Sequence, residues 1–217
     1  MALRINDTIP DMTVTTDMGD INLHDFVDGS YTIFFSHPKD FTPVCTTEFG
    51  AVAQLADEWD KRGVKVMGIS IDDVAEHKEW KGDIETYAGA KAGFPIVADT
   101  DLAMAKAFDM LEADAYLPDG RTAADSATVR AVFIVGPDKK LRLSMTYPMS
   151  VGRNFAEVLR ALDAVMKTDS APIATPANWT PGDDVIVALS VSDDDAKAKY
   201  GEVDFKLPYL RTIKDPA

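Results

Sequence analysis

Apolar and polar positions along this chain switch repeatedly between a period of two and a period near 3.6. The β-branched and aromatic run Tyr31 to Ser36 reads as a buried strand, and Val64 to Ser70 as a second. Between them Phe49, Val52, Ala56 and Trp59 recur at three- and four-residue steps, the mark of one helical face, and Lys61-Arg62-Gly63 supplies its end. From Asp73, with Glu76 as its capping partner, Val74, His77, Trp80, Ile84 and Tyr87 outline a second helical face. Phe94 to Val97 predicts a third strand, Leu102 to Phe108 a brief helix, and Glu112 to Thr128 a polar loop longer than most connections in a compact domain. Val129 to Val135 and Leu141 to Tyr147 predict a hairpin turning through Gly136-Pro137-Asp138-Lys139-Lys140. Phe155, Val158, Leu159, Leu162, Val165 and Met166 then give a strongly amphipathic helix.

A different regime follows. Pro172, Pro176 and Pro181 mark a connector, Val185 to Leu189 a strand, and Ser192 to Asp195 an acidic helix start. The expected organisation is a main domain, 1–168, and a small α+β C-terminal domain, 169–217. The order strand, helix, strand, helix, strand, helix, hairpin, helix describes an α/β fold, a mixed central sheet flanked by helices.

Composition narrows the function. Hydrophobic residues make up 46% of 217, ample for a packed core. Twenty-two basic against 36 acidic residues give a net charge of −14, which repels phosphate backbones and anionic lipid surfaces, so neither nucleic acid nor a membrane is an expected partner. No apolar stretch approaches the ~20 residues needed to span a bilayer. The start, Met1 to Asp7, lacks a secretory apolar region, and a cytoplasmic address is expected.

Cys45 is the single cysteine. It falls where the first long strand passes into its helix, so any redox chemistry must end on a thiol from outside the chain. Thr42 followed by Pro43 fits a helix start, threonine as N-cap and proline at the first helical position. Cys45 is then the third helical residue. The Thr42 hydroxyl and the amides of Val44 and Cys45 converge at the positive end of a helix, where an anion is favoured. A helix terminus contributes at most about 2 kcal/mol. A fast site therefore needs further donors to the charge that develops in the transition state. Arg130 is the candidate, a permanent charge on a strand face shared with Val132 and Ile134. It can also meet a carboxylate such as Glu48, one turn after Cys45, and both contacts can hold together. Arg153 heads the last helix of the main domain, where a positive charge opposes the dipole, so local stability does not explain it.

These residues resemble a peroxiredoxin. Pro38-x-x-x-Thr42-x-x-Cys45 is similar to that family's active-site signature. His37-Pro38 through Pro43-Val44-Cys45-Thr46-Thr47-Glu48 resembles its one-cysteine, peroxiredoxin 6 type. The likeness continues through Arg130, Phe133 to Lys140, Tyr147-Pro148, Gly152 to Phe155, Thr175 to Trp179 and Gly182-Asp183. It implies a thioredoxin-like fold with a C-terminal extension and a peroxidatic Cys45 that reduces hydrogen peroxide and organic hydroperoxides, becoming a sulfenic acid. It calls for no cofactor and no metal. Thr42 and nearby amides would bind the peroxide oxygens, Arg130 would stabilise the thiolate and the transition state, and Pro38 would exclude water. Glu48 and Arg153 would complete the polar network, with His37 and Val44 lining the pocket. The resemblance also implies a homodimer pairing the edge strands around Leu141 to Tyr147, or larger rings. An external donor, whether a small thiol, a thioredoxin or glutaredoxin protein, or ascorbate, would recycle the sulfenic acid.

Two other readings compete. Ser30, His24 and Asp138 match the places of a phospholipase site associated with some animal relatives, but Asp28-Gly29-Ser30-Tyr31-Thr32 lacks the glycines of a nucleophile elbow, and plain loop and turn roles are preferred. A holdase or scaffold with an incidental Cys45 is the non-enzymatic alternative. For metal binding, His24, His37 and His77 fall at no ligand spacing.

Overall fold

The structure, a computed structural model, describes residues 3–116 and 126–216. The chain falls into two compact units, Met1–Phe155 and Ala156–Ala217.

The first unit is built on β1 (Thr13–Thr16), β2 (Gly19–Asn22), α1 (Leu23–Val27), β3 (Thr32–Ser36), α2 (Pro43–Gln54), α3 (Ala56–Lys61) and β4 (Lys65–Ser70). It continues through α4 (Val74–Ala88), β5 (Ile96–Ala98), α5 (Ala103–Ala107), β6 (Arg130–Val135) and β7 (Leu141–Tyr147). Its seven strands run in the order β2-β1-β5-β4-β3-β6-β7. The central trio β5-β4-β3 is parallel and everything outside it antiparallel, which makes the sheet mixed as expected. β3 and β6 are buried at every position, so their continuous apolar runs reflect a sheet covered on both faces. β7 alternates and forms one edge.

The parallel strands and their helices place Cys45. Phe49 is fully buried, and its ring carbons stand 2.8 Å from where a Cβ on Gly68 of β4 would be. Only glycine lets α2 seat this closely on the sheet. Gly50 does the same between helices: a Cβ there would stand 3.0 Å from Ala88 and 3.1 Å from the Tyr87 ring of α4. Asp73 and Glu76 form the expected capping box at the start of α4.

Two features depart from the periodicity. The single helix expected from Phe49 to Trp59 is broken at Leu55, with φ −91° and ψ 12°. The Trp59 indole donates to the Val52 carbonyl at 3.0 Å, taking the acceptor an unbroken helix would offer to Ala56. Tyr87, expected on the buried face of α4 with His77, Trp80 and Ile84, is 61% exposed. It lies near the C-terminal end of α4, its ring over Gly50 of α2. The strands β1 and β2 carry too few apolar residues to be read from pattern alone. Of the polar loop Glu112 to Thr128, residues 117–125 lie outside the described residues, while Leu111 bridges Thr128 at its base.

The second unit holds most of α6 (Phe155–Ser170), then β8 (Ile173–Ala174), β9 (Val185–Val187), α7 (Asp193–Tyr200), β10 (Asp204–Leu207) and β11 (Leu210–Ile213). Its four strands form an antiparallel sheet, β10-β11-β9-β8, over a core that includes Ile173, Trp179, Val185, Val187 and Ala196. Among the described residues no helix is long and apolar enough to cross a membrane.

Candidate active site

β3 ends at Ser36, whose hydroxyl donates to the Val129 carbonyl at 2.5 Å and accepts from the Ala131 amide at 3.0 Å, pinning β3 to β6. The chain then turns through His37 to Thr42 and enters α2. Phe41, just before the helix, has a positive φ of 55°, which an L-residue adopts at a cost of about 1 kcal/mol or more. Thr42 occupies the N-cap with extended backbone, φ −116° and ψ 147°, and Pro43 follows as expected. The threonine side chain makes no capping bond. Its hydroxyl donates instead to the Lys39 carbonyl at 2.8 Å, so that oxygen keeps its acceptor lone pairs beside the first turn.

Cys45 is wholly buried on that turn. Arg130, at the start of β6, reaches it: Nη1 lies 3.4 Å from Sγ and also donates to Glu48 Oε2 at 2.7 Å. The Arg130 Nε donates to the Met149 carbonyl at 2.7 Å, fixing the guanidinium from its other side. Glu48 lies one turn beyond Cys45 and is fully engaged. Its Oε1 accepts from the Arg153 amide at 2.8 Å and Nε at 2.9 Å, and its Oε2 accepts from the Arg153 Nη2 at 2.7 Å. Arg153 in turn donates to the Ala131 carbonyl at 2.8 Å and stands over the rings of Phe35 and Phe155 at 5.4 and 5.5 Å. That geometry explains a cation its own helix does not favour. Burial works to raise the Glu48 carboxyl, but the hydrogen bonds and charge of Arg153, with the charge of Arg130, outweigh it and hold Glu48 below its ordinary value. Two guanidinium groups and one carboxylate leave a net positive charge facing the sulfur.

Pro38, Thr42 and Val44 are half-buried around this turn. His37 belongs to a second, adjoining cluster. Its ring is fully buried, stacked on Trp80 at 5.0 Å and edge-on to Phe49 at 4.5 Å, with Nε2 2.6 Å from Asp40 Oδ1. His77, from α4, approaches the other oxygen of Asp40 at 2.6 Å. Asp72 accepts from the Asp40 amide and the Ser70 hydroxyl, both at 2.8 Å. The Trp80 indole donates to the Thr46 hydroxyl at 3.1 Å and so joins this cluster to the residue after Cys45. Sequence reasoning read His77 only as a core-facing position and missed Asp40 and Asp72. Their signal was a carboxylate or imidazole inside otherwise apolar surroundings, visible only once burial is known.

His37, Asp40 and Asp72 bring polar atoms within 4.8 Å of one another. His37 Nε2, both Asp40 oxygens and one Asp72 oxygen are already spent on the hydrogen bonds just described, so we read a hydrogen-bond cluster rather than an ion site. The other candidate set is engaged elsewhere. His24 Nε2 bonds the Ile9 carbonyl at 2.8 Å, and Asp138 pairs with Arg142 at 3.0 Å.

Comparison with known proteins places this arrangement. The profile of the AhpC/TSA family matches residues 5–144, and that of the C-terminal domain of 1-Cys peroxiredoxin matches residues 164–202. The chain belongs to the AhpC/TSA family, as a one-cysteine peroxiredoxin. Among its relatives is the mitochondrial peroxiredoxin of Saccharomyces cerevisiae, 48% identical over 98% of this chain and 81% of that protein. The 1-Cys peroxiredoxin B of Oryza sativa is 50% identical over 91% of this chain and 89% of its own. The structure of the C45S mutant of peroxiredoxin 6 from Arenicola marina superposes with a TM-score of 0.92 at 41% identity, covering 99% of both chains. A structure of the yeast mitochondrial 1-Cys peroxiredoxin, described for thiol resolution via glutathione and thioredoxin systems, gives a TM-score of 0.87 at 46% identity over 98% of this chain and 99% of that one. The expected thioredoxin-like fold with a small C-terminal domain is therefore present, and this peroxiredoxin is a thiol peroxidase whose single buried Cys45 lies beside Arg130.

Proposed function

We propose that the Cys45 thiolate attacks the terminal oxygen of a hydroperoxide, held in line by Arg130, Thr42 and the first-turn amides of α2. The new S–O bond forms as the O–O bond breaks. The leaving alkoxide or hydroxide takes a proton and departs as alcohol or water, and Cys45 becomes a sulfenic acid. The observation that carries this reading is the Arg130 Nη1, 3.4 Å from Sγ and anchored by Glu48 and the Met149 carbonyl. A guanidinium fixed in advance stabilises developing charge without reorganising during the reaction. Glu48 and Arg153 hold Arg130 in place, Pro38 keeps water from the sulfur, and His37 and Val44 line the pocket.

With no second cysteine in the chain, the sulfenic acid meets an external thiol, which forms a mixed disulfide and releases water. A second thiol then frees Cys45. A small thiol such as glutathione, a thioredoxin or a glutaredoxin fits this chemistry, and the description of the yeast relative supports the first two. The reducing cytoplasm is the proposed setting, although the yeast relative is named for the mitochondrion. The edge strand β7 suits pairing in a homodimer or larger ring, with residues 1–168 as the peroxidase domain and 169–217 as the dimerising extension.

Intact mass tests the reading. Dilute hydrogen peroxide alone should add one oxygen, which subsequent glutathione should remove to restore the starting mass, whereas the two or three oxygens added by excess peroxide should persist. Cys45→Ser should take up no oxygen at this position and consume no peroxide. Undiminished peroxide consumption by that variant would overturn the mechanism and leave the scaffold reading.

A further inference from the structure

We propose that Asp40 and His77 are positioning residues that hold the His37 imidazole as its neutral Nε2–H tautomer, keeping Nδ1 as a bare acceptor for an O–H proton at the reaction site. This rests on the reading that His37 lines the pocket of Cys45, and adds what fixes the proton on its ring.

The hydrogen-bond partners settle the protons by elimination. The His77 Nε2 faces the Val97 carbonyl at 3.1 Å, and a carbonyl only accepts, so that nitrogen carries a proton. Its Nδ1 lies 2.6 Å from Asp40 Oδ2, and a second proton there gives an imidazolium against a carboxylate rather than a lone pair against one. Asp40 Oδ1 then receives the Nε2 proton of His37, also at 2.6 Å. The His37 Nδ1 is buried and has no partner among the described residues. A proton on it would be an N–H stranded away from water, whereas a lone pair is the cheaper orphan. An unpartnered acceptor in a fully buried ring is what remains when a ligand is to supply the donor.

The charged groups facing His37 are Asp40 from its own loop, His77 from α4 and Asp72 from the turn after β4; Trp80 and Phe49 cover its faces without titrating. Burial pushes His37 below its ordinary value, the Asp40 bond and charge opposing it and the charge of His77 adding to it. Burial also acts to lower His77, but its bond to Asp40 wins and raises it. The environment therefore pulls two imidazoles on one carboxylate in opposite directions, His37 toward its neutral form and His77 toward its charged one.

The test uses the full-length reduced protein labelled with nitrogen-15, reading the ring nitrogens of His37 against pH beside kcat/KM for hydrogen peroxide. In the unaltered protein His37 should show a protonated Nε2 and an unprotonated Nδ1 at neutral pH. His77→Gln removes a facing positive charge, so His37 should titrate at higher pH and the acid limb of kcat/KM should move with it. Asp40→Asn removes a facing negative charge and should move both the other way while mixing the tautomers. Either change should lower kcat/KM about tenfold at neutral pH, the weight of one hydrogen bond. Should Asp40→Asn fail to fold, His77→Gln alone carries the sign. A mixed tautomer in the unaltered protein, or a His77→Gln titration unmoved or moved downward, overturns the proposal. If the tautomer is as stated but His37→Ala consumes peroxide at the normal rate, the pocket reading of His37 fails instead, and with it the use proposed for Nδ1.

Discussion

Glu48→Gln changes one atom and should destabilise this protein severely. The carboxylate accepts four hydrogen bonds, three from Arg153 and one from Arg130. A carboxamide keeps one oxygen and turns an NH2 group toward donors, so at least two charge-assisted bonds are lost and two buried guanidinium groups lose their counter-charge. At ~1.5–3 kcal/mol for each such bond the loss is about 3–6 kcal/mol, in line with the ~3–5 kcal/mol for breaking a buried ion pair. In a protein of this size that corresponds to a fall in Tm of roughly 6–24 °C. Thermal and urea unfolding of reduced protein would measure it. The pH dependence adds a sign. The folded Glu48 value lies below its unfolded one, so its contribution is present above the ordinary value of 4.5 and lost as pH falls through the folded value. The gap between the two proteins should therefore close in acid. A fall of less than about 3 °C at neutral pH, or a gap independent of pH, would mean the carboxylate is worth no more than a surface pair and would refute the buried-network argument.

Two further substitutions separate charge from packing. Arg130→Met keeps an unbranched apolar stem but removes the donor 3.4 Å from Sγ, and should slow peroxide reduction on the order of 10²-fold; a loss no larger than the drop in thiolate content, measured by alkylation rate, would confine Arg130 to an electrostatic role in the resting enzyme. Thr42→Val should cost no more than about 1 kcal/mol of stability, because the hydroxyl makes a single bond to the Lys39 carbonyl and does not cap the helix. Its peroxide turnover should nonetheless fall, and unaltered turnover would leave the hydroxyl a loop tie alone.

How far each feature could be read from the chain depends on the range over which its cause acts. The helix start at Thr42-Pro43, the capping box at Asp73 and the hairpin at Gly136 to Lys140 follow from interactions within a few residues, and all three stand at the expected positions. β3, β4 and β6 were equally legible, since a sheet covered on both faces demands unbroken apolar runs. β1, β2, β10 and β11 were not, because their residues gain strand geometry only from the neighbour they pair with. The break at Leu55 likewise depends on an indole reaching back to one carbonyl.

The chain by itself determined that one thiol stands at the positive end of a helix with two arginines unexplained by their local surroundings. Tertiary structure alone decided where those charges go: Glu48 meets Arg130 and Arg153 across 82 and 105 residues, and Asp40 meets His77 across 37. Local rules are silent at such separations. Only the packing of α2 and α4 onto a common sheet, through contacts such as Phe49 on Gly68, brings those side chains within bonding distance and excludes the water that would otherwise weaken their attraction.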